Sequence, residues 1–135
     1  MIDMFTDNIF LWGTQKMARL MAGHGMDVYQ YIFSYEGSLS SGFGVNHSED
    51  RIYLFNPPYS SLTDTDREVR NFLAESWVNF AMTGNPNNPD VTTRWEKCVL
   101  ENYPIHYLNI TGPSPTMEGR PELGDRMDFW ESLMS

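Results

Sequence analysis

GVNHSEDRIYLF, residues 44–55, sets a histidine after Gly-Val-Asn and ahead of two carboxylates and an aromatic-aliphatic run. Upstream, VYQYIFSY (28–35) is rich in β-branched and aromatic residues and predicts a strand. EGSLSSGFG then predicts a loop that delivers the chain to Val45, Asn46 and His47. Downstream, Ser48 is placed to cap a short helix with Glu49 and Asp50 in its first turn, where the helix dipole favours negative charge. His47 therefore follows a strand and precedes a helix, the place where sheet scaffolds present catalytic side chains. On residue type and placement alone, an ordinary loop histidine remains the stronger reading.

Outward from this stretch, residues 2–22 predict a helix, with Ile2, Phe5, Ile9, Met17, Leu20 and Met21 at helical spacing. Gly23 and Gly25 suit its left-handed C-terminal cap. A second helix is predicted from a Thr65–Glu68 capping box, with Val69, Phe72, Leu73, Trp77 and Phe80 as its apolar stripe, and Gly84 and Pro86 as its stop. IHYLNI (105–110) predicts a short strand, TGPSPTMEGRPE a surface loop, and ELGDRMDFWESLM a helix burying Met127, Trp130, Leu133 and Met134. The order is an α/β pattern, yet two strands make no independent sheet.

Composition narrows the function classes. Eighteen acidic against nine basic residues give a net charge of −9, interspersed along the chain. No basic patch exists to neutralise phosphates, so nucleic-acid binding is not expected, and anionic membrane surfaces are disfavoured. No apolar run approaches the ~20 residues that span a bilayer. The opening MIDMFTDNIF has neither the basic start nor the apolar core of a signal peptide. Cys98 is the single cysteine, which excludes an internal disulfide and a cysteine metal cluster. Eight Phe, seven Tyr and four Trp are a heavy apolar load for 135 residues, which suggests that some of them face a partner or further parts of the same fold.

His24, between two glycines at a helix end, reads as a capping or exposed residue, and His106, in a predicted strand, as half-buried and structural. Neither has a metal-ligand neighbour at useful spacing, so no metal site and no cofactor are expected. No G-x-S-x-G nucleophile motif occurs, and Ser38, Ser40, Ser41 and Ser48 lie in loop or cap contexts.

Nearly the whole chain resembles the C-terminal part of type-B carboxylesterases, the cholinesterase-like branch of the α/β-hydrolases. GVNHSEDRIYLF is similar to the segment that carries their catalytic histidine. FTDNIF resembles their Asp-containing helix start, VYQYIFSYEG the strand before the histidine loop, and WVNFAMTGNPN the helix ending in Thr-Gly-x-Pro-Asn. WEKCVLENYPIHYLNI and RMDFWESL resemble the closing Trp, strand and Phe-Trp helix. The acid pair followed by YLF is nearest to invertebrate esterases, including members like juvenile hormone esterase. Arg51 and Glu96 depart from the common pattern, and NIFLWG lacks the cysteine that cholinesterases place there.

The resemblance implies that residues 1–135 are a C-terminal segment of one carboxylesterase domain. The fold implied is helices packed on the last strands of a mostly parallel sheet, incomplete as a domain. It implies His47 as the general base of a serine esterase acting on small-molecule carboxylic esters, in a secreted or extracellular setting. Serine, orienting acid and oxyanion hole would come from the missing N-terminal part of the domain, leaving the segment alone inactive. Glu49 and Asp50 are read as structural rather than as the orienting acid, and Asp7 as a polar contact near the histidine loop. Two sequons occur: Asn46 is expected to stay unmodified beside the base, and Asn109 is the possible glycan site. The alternative is a cholinesterase-like adhesion or binding protein without catalysis. A self-sufficient small acidic domain is the third reading.

Overall fold

The computed structural model describes residues 2–55, 59–89, 91–101, 106–119 and 121–134. Elements follow in the order α1 (Ile2–Thr6), a π-helical turn (Asp7–Leu11), α2 (Trp12–Gly23), β1 (Tyr31–Phe33), α3 (Glu49–Phe55), a 3₁₀ turn (Tyr59–Ser61), α4 (Asp64–Thr83), β2 (Tyr107–Ile110), β3 (Thr116–Glu118) and α5 (Pro121–Met134). The strands form one sheet in the order β1-β2-β3. β1 runs parallel to β2, with Tyr31 opposite Leu108, Ile32 opposite Asn109 and Phe33 opposite Ile110. A parallel pair needs a long crossover, and α3 and α4 lie in the chain between these two strands.

The chain divides into two compact units, one of Met1–Gln30, Glu96–Tyr107 and Glu118–Ser135, the other of Tyr31–Trp95 and Leu108–Met117. In the first, Ala18 and Cys98 are buried together, with Ala22 and Val28 packed against them. Gln15 donates to Gln30 at 3.2 Å, both buried. Asp7, 4% exposed, takes Arg126 on both carboxylate oxygens, the Nε contact at 2.7 Å. Around this pairing the predicted single helix is interrupted by the π-helical turn, which rotates Asp7 onto the buried face. The apolar stripe of this helical region is outward: Phe5, Ile9, Met17 and Leu20 are each more than half exposed. The reason is local, since the inward face of α2 carries Gln15 and Ala18. Of the two glycines predicted to cap it, Gly25 does so, while Gly23 is the last residue of α2. Gly25 adopts φ +78°, and the N–H groups of Gly25 and Met26 reach the carbonyls of Ala22 and Met21, a Schellman closure.

The second unit packs Val69, Leu73, Tyr53, Leu62 and Trp95 as buried residues beside the paired strands. Phe33, Tyr35 and Tyr53 form an aromatic cluster with ring centroids 5.5–6.3 Å apart. α4 begins two residues earlier than the Thr65–Glu68 reading. Thr63 is the N-cap, its hydroxyl accepting from Asp66 N–H at 3.2 Å, while Asp66 accepts from Thr63 N–H at 2.7 Å. The earlier pair prevails because the Asp66 carboxylate is also the acceptor for the aromatic cluster. Within the expected stripe Val69 and Leu73 are buried, but Trp77 and Phe80 are 46% and 44% exposed. Gly84 closes the helix in the left-handed conformation, as predicted.

The strands are shorter than predicted. Val28 accepts from Cys98 N–H at 2.8 Å, so the start of the 28–35 run pairs outside the β1–β2 ladder. Of the 105–110 run, Tyr107–Ile110 is strand and Ile105 lies outside the described residues. The Pro/Gly-rich stretch expected to be loop contains β3, next to β2. In α5, Met127 is buried, whereas Leu133 and Met134 are exposed rather than buried.

Candidate active site

His47 is exposed in a tight turn between β1 and α3. The approach uses Gly42 and Gly44 at φ +80° and +88°. The residue after His47, Ser48, has φ +66°, the only non-glycine positive φ among the described residues. A left-handed serine is not an N-cap, whose backbone is extended, so the predicted Ser48 cap gives way to another device. That device is Glu49. Its side chain is 4% exposed and folds back over the loop. It accepts from Ser40 Oγ at 2.7 Å, Asn46 N–H at 2.9 Å and Asn46 Nδ2 at 3.3 Å.

Asp50 accepts from Tyr31 Oη at 2.7 Å. Burial, reinforced by this carboxylate, pushes the Tyr31 phenol well above its ordinary range. The acid pair thus ties the histidine turn to the strand before it and to its own loop.

Beneath the loop lies a polar centre that sequence reasoning missed. Asp66 is fully buried. One carboxylate oxygen accepts from Ser38 Oγ (2.6 Å), Thr63 N (2.7 Å) and Thr63 Oγ1 (2.6 Å). The other accepts from Tyr35 Oη (3.0 Å), Ser38 N (3.2 Å) and Tyr53 Oη (3.2 Å). Burial alone would raise the carboxyl's pKa, but the Ser38 and Thr63 hydrogen bonds outweigh it and hold Asp66 well below the usual range. Gly37 makes this possible: a Cβ there would collide with Asp66 Oδ1, the Tyr53 hydroxyl and the Tyr35 ring. Residues 63–68, T-D-T-D-R-E, contain two overlapping S/T-x-x-D/E signals, and only the tertiary partners distinguish them.

Each remaining candidate has its own setting. His24 is exposed and its Nδ1 lies 2.7 Å from Leu20 O, at the end of α2. His106 is half-buried just before β2, close against Gly119. Asn46 is exposed, its Nδ2 donating to Ser41 Oγ at 3.1 Å. Asn109 lies in the central strand and is 4% exposed. Asp7, considered for the histidine loop, has both oxygens on Arg126. Among the described residues no group of three His, Cys, Asp or Glu side chains is arranged to hold a metal ion. No helix among them is long and apolar enough to cross a membrane.

A histidine carried on the loop between a parallel strand and its crossover helices is an α/β-hydrolase arrangement. The fold agrees with juvenile hormone esterase from Manduca sexta at a TM-score of 0.78 and 23% identity, over 96% of this chain and 27% of that one. The chain belongs to the carboxylesterase family, whose profile matches residues 1–130. It is 34% identical over 120 residues to human bile salt-activated lipase, covering 82% of this chain and 16% of the lipase. It is 30% identical over 149 residues to acetylcholinesterase 1 of Caenorhabditis elegans, covering 99% of this chain and 24% of that protein. The chain thus spans about a quarter or less of the length of these relatives.

Proposed function

We propose that this chain supplies the general base, His47, of a serine carboxylesterase acting on small-molecule carboxylic esters. The observation that carries the reading is the position of His47. It is exposed on a turn pinned from both sides, within a chain of the carboxylesterase family. An imidazole so placed takes the proton from a serine hydroxyl as its oxygen attacks the ester carbonyl. It passes that proton to the departing alcohol and repeats the cycle with water to free the acid.

No G-x-S-x-G motif lies within these residues, so the nucleophile, the orienting acid and the oxyanion donors come from another part of the same domain. The outward apolar side chains of the first unit, with Ile9 62% and Met17 57% exposed, are consistent with a surface that such a part covers. A binding protein without catalysis has no observation in its favour here. We place the parent protein outside the cell on family resemblance; recovery from the cell lysate and not the medium counts against that.

The test is hydrolysis of p-nitrophenyl acetate by the intact protein. His47→Ala is expected to lower kcat at least about 100- to 10,000-fold, the range of a positioned general base. Unchanged kcat rejects the assignment. Residues 1–135 alone are expected to show no saturable ester turnover.

A further inference from the structure

We propose that Glu49 is a positioning residue for His47, acting as a clamp that holds the turn in a backbone conformation it would otherwise leave. The inference rests on His47 being the base, and it deepens that reading. Two independent observations meet at this carboxylate. First, Glu49 is almost wholly buried, yet its oxygens are spent on the loop that precedes it: Ser40 Oγ at 2.7 Å on one, Asn46 N–H at 2.9 Å and Asn46 Nδ2 at 3.3 Å on the other. Second, Ser48 sits at φ +66°, a region that a side chain with a Cβ rarely occupies.

His47 is the residue between these two restraints. On its N-terminal side Asn46 is gripped by the carboxylate. On its C-terminal side the left-handed Ser48 reverses the chain into α3, where Ser48 O accepts from Arg51 N–H at 3.2 Å. Glu49 N–H returns to Asn46 O at 3.2 Å, so backbone and side chain of one residue close a ring around the histidine. Strained backbone persists where its surroundings over-determine it. Here the over-determination is a charged acceptor in a buried position, where hydrogen bonds to an ionised group are strongest. Without it the turn can relax at Ser48, and the imidazole leaves the geometry from which it takes a proton.

The experiment uses the intact protein and p-nitrophenyl acetate. Glu49→Ala is expected to lower kcat about 10- to 100-fold, as a displacement on the ångström scale does, with KM within about threefold. Glu49→Gln, which keeps one acceptor oxygen, should fall between it and the wild type. Adding Ser48→Gly to Glu49→Ala should restore part of kcat, because glycine holds the left-handed turn without a clamp.

If Glu49→Ala does not fold, Glu49→Gln decides. A lowered kcat at an unchanged melting temperature supports the clamp, and wild-type kcat overturns it. Equal losses in all three variants with a matching loss of cooperative unfolding also overturn it, since the residue would then serve only folding. His47→Ala separates the two levels. If it is inactive while Glu49→Ala matches wild type, only the clamp falls; if it is active, the base assignment falls and the clamp with it.

Discussion

Replacing Asp66 by asparagine removes one charge and changes almost no volume. In either orientation the new amide NH₂ stands where a carboxylate oxygen faces three donors. These are Ser38 Oγ, Thr63 N and Thr63 Oγ1 on one side, or Tyr35 Oη, Ser38 N and Tyr53 Oη on the other. A buried donor left without an acceptor costs about 1–3 kcal/mol, and a hydrogen bond to a charged group contributes about 1.5–3 kcal/mol. Hydroxyls can rotate and the loop can yield, so the losses do not sum. A destabilisation of about 3–5 kcal/mol is expected, more than one such loss and less than the sum of three.

The pH dependence carries a sign. The folded-state pKa of Asp66 is depressed, so its stabilisation is fully present above the unfolded-state value of about 3.9. It declines as pH falls below that value and is lost through the lower folded-state pKa. Guanidinium unfolding followed by tryptophan fluorescence should show the full gap between wild type and Asp66→Asn at pH 7. By pH 3 the gap should narrow by about 1 kcal/mol, since a pH unit is worth about 1.4 kcal/mol. A gap below about 0.5 kcal/mol at pH 7, within the range of ordinary surface substitutions, refutes the hub.

Gly37→Ala is expected to destabilise the same unit, because its methyl group enters the space of Asp66 Oδ1 and the two tyrosines; an unchanged unfolding midpoint contradicts this. Cys98 is buried, and burial pushes its thiol up to about 11, so alkylation by iodoacetamide at pH 8 should be slow in the folded protein and fast in denaturant. Equal rates in both would show that the site is open. Asn109 is 4% exposed in the central strand, so the folded unit has no room for a glycan there. Peptide mass spectrometry of protein secreted by eukaryotic cells is expected to find Asn109 unmodified, and high occupancy would show that the strand is not closed as described.

What the sequence made legible follows from how local each feature is. The left-handed stop at Gly25, the α4 stop at Gly84 and the strand–loop–helix setting of His47 depend on residues within one or two turns. The capping box was displaced because Thr63 and Thr65 offer the same local signal, and only Tyr35, Tyr53 and Ser38 select the first. Ser48 looked like a cap because serine caps helices, yet Glu49 takes the loop donors and leaves Ser48 left-handed. The 2–22 stripe is legible as apolar but its exposure is not, since periodicity identifies a face and not what covers it. The role proposed for His47 rests on ordered resemblance along nearly the whole chain; residue type alone favours an idle loop histidine.

The proposal that His47 activates a serine lying outside these 135 residues is tested by mass spectrometry of the intact protein after brief reaction with a slowly deacylating aryl carbamate. One adduct is expected per molecule, on a serine outside residues 1–135, with its formation suppressed by His47→Ala. An adduct on a serine within these residues, or one formed equally fast without His47, would contradict the account.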